Sequence, residues 1–415
     1  MGDCLRFIHS ADLHLDSLFK NKRHLPTKLL EQLRESTFRA FDKLIEEAIQ
    51  HRVDFVLLVG DLYDEELRSL KAQIHLRNGF YRLDKHGIEV FVSYGNHDYV
   101  NGTKYTVDFP SNVHEFKHQD VESVPFTKDG QHMANIYGFS YESRHVSDRK
   151  VESFQKEFGP LYHIALLHGS VDTRKEDHDV YAPFTLEELY NKQMDYWALG
   201  HIHKREVLSE EPPVVYPGNV QGRSRKEQGE KGCYVVDLRS EGAGLTFVPL
   251  HSLTYESHTV RIDTLSSPQQ LEPILEQAKQ DVETSNPVML DIHFISETGL
   301  LHKWQAEGIL DEWVSVVNDG ENDYDNWVWI DSIHVTDQPS WQEDEVKKGQ
   351  HFAGALLREA DSIDTLVLDE WMEPVLNHRK LSKHLQDWSE KDKRDILEEA
   401  KRLVVDKLVA NEEWK

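Results

Sequence analysis

The stretch DFVLLVGDLYDEE, Asp54 to Glu66, carries five uninterrupted apolar residues that stop abruptly at a glycine and a carboxylate. An apolar run of this length, bounded by turn residues and rich in valine, predicts a strand covered on both faces, as in the centre of a layered α/β sheet. It is far too short to cross a bilayer. Four other stretches repeat the design: RFIHSADLHLDS (6–17), EVFVSYGNHDY (89–99), HIALLHGS (163–170) and DYWALGHIH (195–203). Each is a β-rich run that empties into a loop holding carboxylate, amide or imidazole groups. The carboxyl ends of strands in such sheets converge on one crevice, so groups far apart in sequence can meet there.

Between the first two strands, Phe38, Phe41, Leu44, Ile45, Ala48 and Ile49 recur at helical spacing, which predicts a crossover helix packed on the sheet. A second helical pattern covers about 65–85. YPGNV, KGCYVVDL and LTFVPL read as further strands, expected in a second sheet. The fold class is therefore α/β, a two-sheet β-sandwich flanked by helices over residues 1–250. From 251 to 340, TVRID, a helical pattern from Leu271 to Val282, MLDIHF and NWVWIDSIHV predict a small α+β cap domain. Residues 341–415 read as a helical C-terminal segment, with Ser389 and Asp392 as a capping box. Its last helix has one apolar stripe, suited to packing on its own domain or to docking a partner.

Hydrophobic residues at 39% and charged residues at 29% fit a soluble globular chain. Two cysteines without a CxxC pattern exclude a disulfide framework and a thiolate zinc site. No export signal, lipid anchor or membrane span is legible, so a cytoplasmic location without membrane attachment is expected. The net charge of −27 is unfavourable for binding a polyanion, but −19 of it lies beyond residue 250.

Asp12 with His14, and His201 with His203, sit two apart, and in extended backbone such pairs project to one side. Asp61 can share its oxygens between two cations, Asn96 adds a neutral carbonyl oxygen, and His168 completes seven candidate ligands. Imidazole, carboxylate and amide without thiolate suit two divalent ions, with Mn²⁺ expected and Fe²⁺ or Zn²⁺ as alternatives. Cations about 3.5–4 Å apart activate water and offset charge in an in-line phosphoryl displacement. His97 is the candidate general acid for the leaving alkoxide, and Asp98 the expected support of its imidazolium. Arg223, Arg225 and Lys226 form the most basic loop and are candidates for a nucleic-acid backbone. Trp327 and Trp329 alternate on a strand, a spacing that fits base stacking less well than core packing.

The order DxH, GDxxD, GNHD, HG, GHxH resembles the calcineurin-like metallophosphoesterase superfamily over about residues 5–240. ADLHLDS, YAPFTLEEL (181–189) and YPGNVQGRSRKEQGEKG (216–232) are similar to its SbcD-type DNA exonuclease branch. The resemblance implies one metal on Asp12, His14, Asp61 and His203, and a second on Asp61, Asn96, His168 and His201. His97 becomes the catalytic histidine. Asp64 stands where archaeal and eukaryotic relatives often carry a histidine, and Asp16 where many have glycine. The resemblance further implies a DNA substrate, a 3′ to 5′ exonuclease with some endonuclease action, and a role in DNA repair. It also implies a homodimer through regions 65–85 and 100–110, and an SMC-like coiled-coil ATPase docked on the helices after 341. Two competing functions are a small-nucleotide phosphodiesterase or phosphatase, favoured by the acidity, and a non-catalytic recruiting subunit, disfavoured by the complete ligand set.

Overall fold

The computed structural model describes residues 4–64, 68–101, 107–172, 181–262, 264–282, 285–297, 299–337, 342–363, 365–376 and 390–410. It divides into two compact units, Met1–Glu256 with Thr284–Met289 and Tyr324–Trp327, and Ser257–Glu283 with Leu290–Asp323 and Val328–Lys415.

The first unit begins with β1 (Leu5–Ser10), α1 (Thr27–Gln50), β2 (Phe55–Val59), α2 (Leu70–Asp84), β3 (Glu89–Ser93) and β4 (Val113–Glu115). There follow β5 (Glu122–Lys128), β6 (Gln131–Gly138), β7 (Tyr162–His168), α3 (Leu186–Asn191) and β8 (Tyr196–Gly200). It closes with β9 (Glu206–Glu210), β10 (Pro213–Tyr216), β11 (Gly232–Arg239) and β12 (Gly242–Pro249). These strands make two six-stranded sheets, ordered β12-β11-β1-β2-β3-β4 and β5-β6-β7-β8-β10-β9. The strands predicted from KGCYVVDL and LTFVPL do not join the second sheet. They extend the first, with β11 antiparallel to β1 and β12 antiparallel to β11.

The apolar run FVLLV is explained by its two covered faces. Phe55, Leu57 and Val59 point into the layer between the sheets with Phe7, Phe91, Ile164, Leu166 and Tyr196. Val56 and Leu58 face the opposite way, onto Phe38, Phe41, Leu44, Ile45 and Ala48 of α1. The outer face of the second sheet, with Ala165, Leu167, Trp197 and Leu199, is covered by Phe154, Phe184 and Leu189. Since β1, β2 and β3 run parallel, as do β7 and β8, the loops that follow them leave by the same ends of their sheets.

Most of a three-stranded sheet falls in the second unit, β13 (Thr254–Ile262, from Ser257), β14 (Val288–Ser296, from Leu290) and β15 (Val328–Asp337), in that order, with α4 (Leu271–Val282), α5 (Leu300–Ala306) and α6 (Ile309–Asn318). The same unit carries α7 (Glu343–Lys348), α8 (Phe352–Ala360), α9 (Thr365–Leu376) and α10 (Glu390–Ala410). Val346, Ala353, Leu357 and Val405 form the apolar seam of these last helices. Ser389, of the predicted capping box, lies outside the described residues, as do residues 65–67 and 102–106 of the regions expected at a dimer interface. Trp327 belongs to the core: it is 1% exposed and its indole N–H donates to Gln32 Oε1 at 2.5 Å.

Candidate metal centre

The centre is assembled from the five loops, and backbone conformation does much of the aiming. Asp12 (φ 51°), His14 (φ 44°), Asp61 (φ 50°) and His201 (φ 95°) all occupy the left-handed region that L-residues avoid. Backbone bonds tie the first two loops together: Asp12 and His14 N–H donate to the carbonyls of Gly60 and Asp61 at 3.2 and 3.0 Å. Three glycines make room for one ring. A Cβ on Gly60 would lie 2.1 Å from His168 Nδ1, on Gly200 2.9 Å from the same atom, and on Gly95 2.7 Å from His168 Nε2.

The predicted residues come together in two groups, Asp12, His14 and His203, and Asp61, His168 and His201, the ligand atoms of each group lying within 4.8 Å of one another. In the first, His14 Nε2 and His203 Nε2 are 3.1 Å apart. In the second, Asn96 Oδ1 lies 3.1 Å from His168 Nε2 and 3.2 Å from His201 Nδ1, and Asp61 Oδ2 lies 3.4 Å from His168 Nε2. Asp12, His14, Asp61, Asn96 and His168 are buried.

The tautomers fit divalent cations. His203 Nδ1–H donates to Glu227 Oε1 at 2.6 Å and His168 Nδ1–H donates to the Val59 carbonyl at 3.0 Å. Each ring therefore turns the lone pair of Nε2 into the centre, the arrangement by which outer partners orient metal-bound histidines. His14 and His203 bring their Nε2 atoms within 3.1 Å, with neutral imidazole on the His14 side, and would offer both to a cation.

Electrostatics agree. Burial, opposed by the nearby His168 and His203, pushes the Asp12 carboxyl up to about 6. Burial also disfavours charge on Asp61 and His168, yet their mutual attraction prevails, holding Asp61 well below the usual carboxylate range and raising His168 to about 9. Burial, reinforced by the Arg223 charge, keeps the His14 imidazole well below its ordinary value. Cations entering here replace protons, so loading is coupled to proton release.

His97 lies beside this assembly. Its backbone N–H donates to Asp61 Oδ1 at 2.9 Å and its ring Nδ1–H donates to the Asp64 carbonyl at 2.9 Å. The expected support from Asp98 is not what its carboxylate provides: Asp98 Oδ2 accepts from Leu62 N and Oδ1 from Gly95 N, both at 2.7 Å. Asp98 thus pins the second and third loops together, and the His97 ring leans on Asp64 instead. Arg223 is likewise committed, since its Nη1 donates to Asp64 Oδ1 in a close ion pair. Of the three predicted basic residues, Arg225 and Lys226 are the exposed ones.

Residues that sequence reasoning missed surround the centre. Glu227 holds His203, and burial, outweighed by the His203 hydrogen bond and charge and by Arg223, leaves its carboxyl at about 2. Arg68, 2% exposed, sits over the Tyr63 and Tyr94 rings, 5.4 and 4.6 Å from their centroids, and donates to the Tyr99 carbonyl at 2.8 Å. Tyr141 meets the His168 ring edge-on at 5.7 Å and donates to the His168 carbonyl at 2.8 Å. The only signal for Glu227 lay in the loop KEQGEKG, where two glutamates set between two lysines are easily read as solvated.

Two sheets whose parallel strands deliver imidazoles and carboxylates to a paired site define a metal-dependent phosphoesterase. A family model described as calcineurin-like phosphoesterase matches residues 5–205. The chain is 36% identical to the "uncharacterized metallophosphoesterase YhaO" of Bacillus subtilis, over 95% of this chain and 96% of that protein. It belongs to the calcineurin-like metallophosphoesterase family. More distant relatives are named DNA double-strand break repair protein Mre11. That of Thermoplasma acidophilum is 26% identical over 54% of this chain and 62% of its own length, and that of Sulfolobus acidocaldarius 21% identical over 73% and 79%. Among the described residues no helix is long and apolar enough to cross a membrane.

Proposed function

We propose that this chain is a dinuclear-metal DNA phosphodiesterase, with one ion on Asp12, His14, Asp61 and His203 and the other on Asp61, Asn96, His168 and His201. The observation that carries the reading is the juxtaposition of the two ligand groups, tied by the His201 N–H on the Asp12 carboxylate and the His14 N–H on the Asp61 carbonyl, with His97 held on the Asp61 carboxylate. When bound, the two cations supply an acidified water and positive charge for the phosphoryl oxygens. Asp12 and Asp61 balance that charge from buried positions, and His168 and His203 are held with Nε2 inward by Val59 and Glu227. With Nδ1–H engaged by the Asp64 carbonyl, protonated His97 has Nε2–H left to donate to the departing alkoxide. Imidazole with oxygen donors and no thiolate suits Mn²⁺, Fe²⁺ or Zn²⁺, and of these Mn²⁺ is the ion proposed.

The names of the Mre11 relatives support DNA as substrate and a place in double-strand break repair. The family resemblance supports 3′ to 5′ exonuclease action with some endonuclease action, a homodimer, and an SMC-like ATPase on the helices after 341 in the cytoplasm. One observation favours a second reading, hydrolysis of small nucleotides: Arg223 is spent on Asp64, which removes one of the three loop cations expected to meet a long polyanion. The deciding experiment gives the purified protein Mn²⁺ and either long duplex DNA or nucleotide phosphodiesters. DNA degradation is expected; cleavage of the small substrates alone would replace the proposal. Replacing His97 with alanine is expected to lower DNA cleavage about 10²- to 10⁴-fold with Mn²⁺ still bound. Asp61→Ala is expected to lose the ions as well.

A further inference from the structure

Glu227 satisfies donors from three residues with its two oxygens. Oε1 accepts from His203 Nδ1–H at 2.6 Å, and Oε2 accepts from Arg223 N–H at 2.7 Å and Asn219 Nδ2 at 3.0 Å. The turn it grips is closely packed: a Cβ on Gly222 would stand 2.7 Å from the Glu227 carbonyl. From that turn Arg223 reaches back to the Asp64 carboxylate, and the Asp64 carbonyl accepts from His97 Nδ1–H at 2.9 Å. The Glu227, Arg223 and Asp64 side chains are 14%, 19% and 20% exposed, so the chain of contacts runs through a largely dry layer.

We infer that Glu227 is a positioning residue for both halves of the reaction: it fixes His203 with Nε2 as the ligating atom, and it fastens the turn that brings Arg223 to Asp64, on whose carbonyl the His97 ring rests. The inference depends on the dinuclear reading above. Outer-shell carboxylates of this kind are worth about 10- to 100-fold in metal affinity, because they set both ring tautomer and ligand basicity. Arg223 has the narrower role. It donates to Asp64 rather than to a ligand ring and reaches His14 only by its charge and through the Asp64 carboxylate, 3.7 Å from His14 Nδ1, so its loss disturbs His97 through Asp64 while His203 stays in place.

The experiment titrates Mn²⁺ into the metal-free full-length protein by calorimetry, for wild type, Glu227→Gln, Glu227→Ala and Arg223→Met, and follows single-turnover DNA cleavage at saturating Mn²⁺. Glutamine can accept from His203 or from the turn but not from all three donors, so affinity is expected in the order wild type, Glu227→Gln, Glu227→Ala, spanning about 10- to 100-fold. Arg223→Met is expected to change Mn²⁺ affinity less than Glu227→Ala does and, at saturating Mn²⁺, to cleave about 10- to 100-fold more slowly, as misplacement of a reacting group predicts. Equal Mn²⁺ affinity in wild type and both Glu227 variants overturns the role of Glu227. Wild-type cleavage by Arg223→Met overturns the link to His97. A wild-type protein that binds no Mn²⁺ would instead sink the dinuclear reading, and one that binds it but leaves DNA intact would sink only the choice of substrate. The near-isosteric glutamine variant keeps the comparison decisive if the alanine variant does not fold.

Discussion

Gly95→Ala places one methyl group where two candidate ligands of the centre meet. Its Cβ would lie 2.3 Å from Asp61 Oδ1 and 2.7 Å from His168 Nε2. His168 has no room to retreat, because Gly60 and Gly200 already back its ring so closely that a Cβ on either would fall within 2.9 Å of Nδ1. Gly95 itself has no left-handed φ, so the substitution tests crowding rather than backbone strain. Overpacking of this kind costs about 1–3 kcal/mol. At about 2–4 °C per kcal/mol for a domain of this size, the metal-free protein is expected to melt roughly 2–12 °C lower. If the clash is relieved by turning Asp61 or His168 aside, binding must reverse that turn, and Mn²⁺ affinity is expected to fall about 5- to 150-fold, since 1.4 kcal/mol is tenfold. Gly87→Ala is the control: with φ of 70° and nothing within 4 Å of its Cβ, it carries backbone strain but no contact with the centre. Scanning calorimetry and Mn²⁺ titration of the two variants decide the matter. A Gly95→Ala protein that melts and binds Mn²⁺ like wild type would refute the packing on which the centre depends.

Other consequences are equally open to measurement. Burial pushes the His9 imidazole from 6.5 down to about 3, where its ring pairs with the Tyr196 hydroxyl and the Leu199 carbonyl. The unfolded chain therefore takes up this proton first as pH falls, so the contribution of His9 to stability is complete above about 6.5 and is lost progressively toward 3. His9→Gln is expected to flatten the loss of stability between about pH 6 and 4 by up to about 1.4 kcal/mol per pH unit relative to wild type, measured by urea unfolding. Arg68→Met leaves the Asp98 and Tyr99 carbonyls without their charged donor. At about 1.5–3 kcal/mol for each such bond, a loss of roughly 3–6 kcal/mol is expected in the same assay. Mn²⁺ at a hundred times its Kd is expected to stabilise the wild-type first unit by about 2.7 kcal/mol over a chelator-treated sample, and Asp61→Ala to lose that increment.

The strands, and the grouping of the candidate ligands at their ends, were legible because the two signals coincide. FVLLV has no polar residue since α1 covers one face and the second sheet the other, and the first polar group after it, Asp61, is already at the strand's end. The same logic carried β1, β3, β7 and β8. What the sequence hid was pairing that skips along the chain. β11 and β12 are apolar enough for either sheet, and only the antiparallel register of β11 on β1, and of β12 on β11, assigns them to the first. Asp98 adjoins His97 in sequence, yet the turn after β3 sends neighbouring side chains apart, one to the Leu62 and Gly95 amides and the other to Asp64. Arg223 read as a cation for DNA because its carboxylate partner lies on a loop that follows β2, far away along the chain.

Four of the seven candidate ligands, Asp12, His14, Asp61 and His201, have positive φ. A side chain held there costs about 1–2 kcal/mol that glycine would not. A laboratory selection that rewarded only survival of heating would therefore drift toward glycine at these sites and collect sturdy proteins that hydrolyse nothing. Asp16, with φ of 65° and no place among the ligands, is where such a selection could gain without disarming the enzyme.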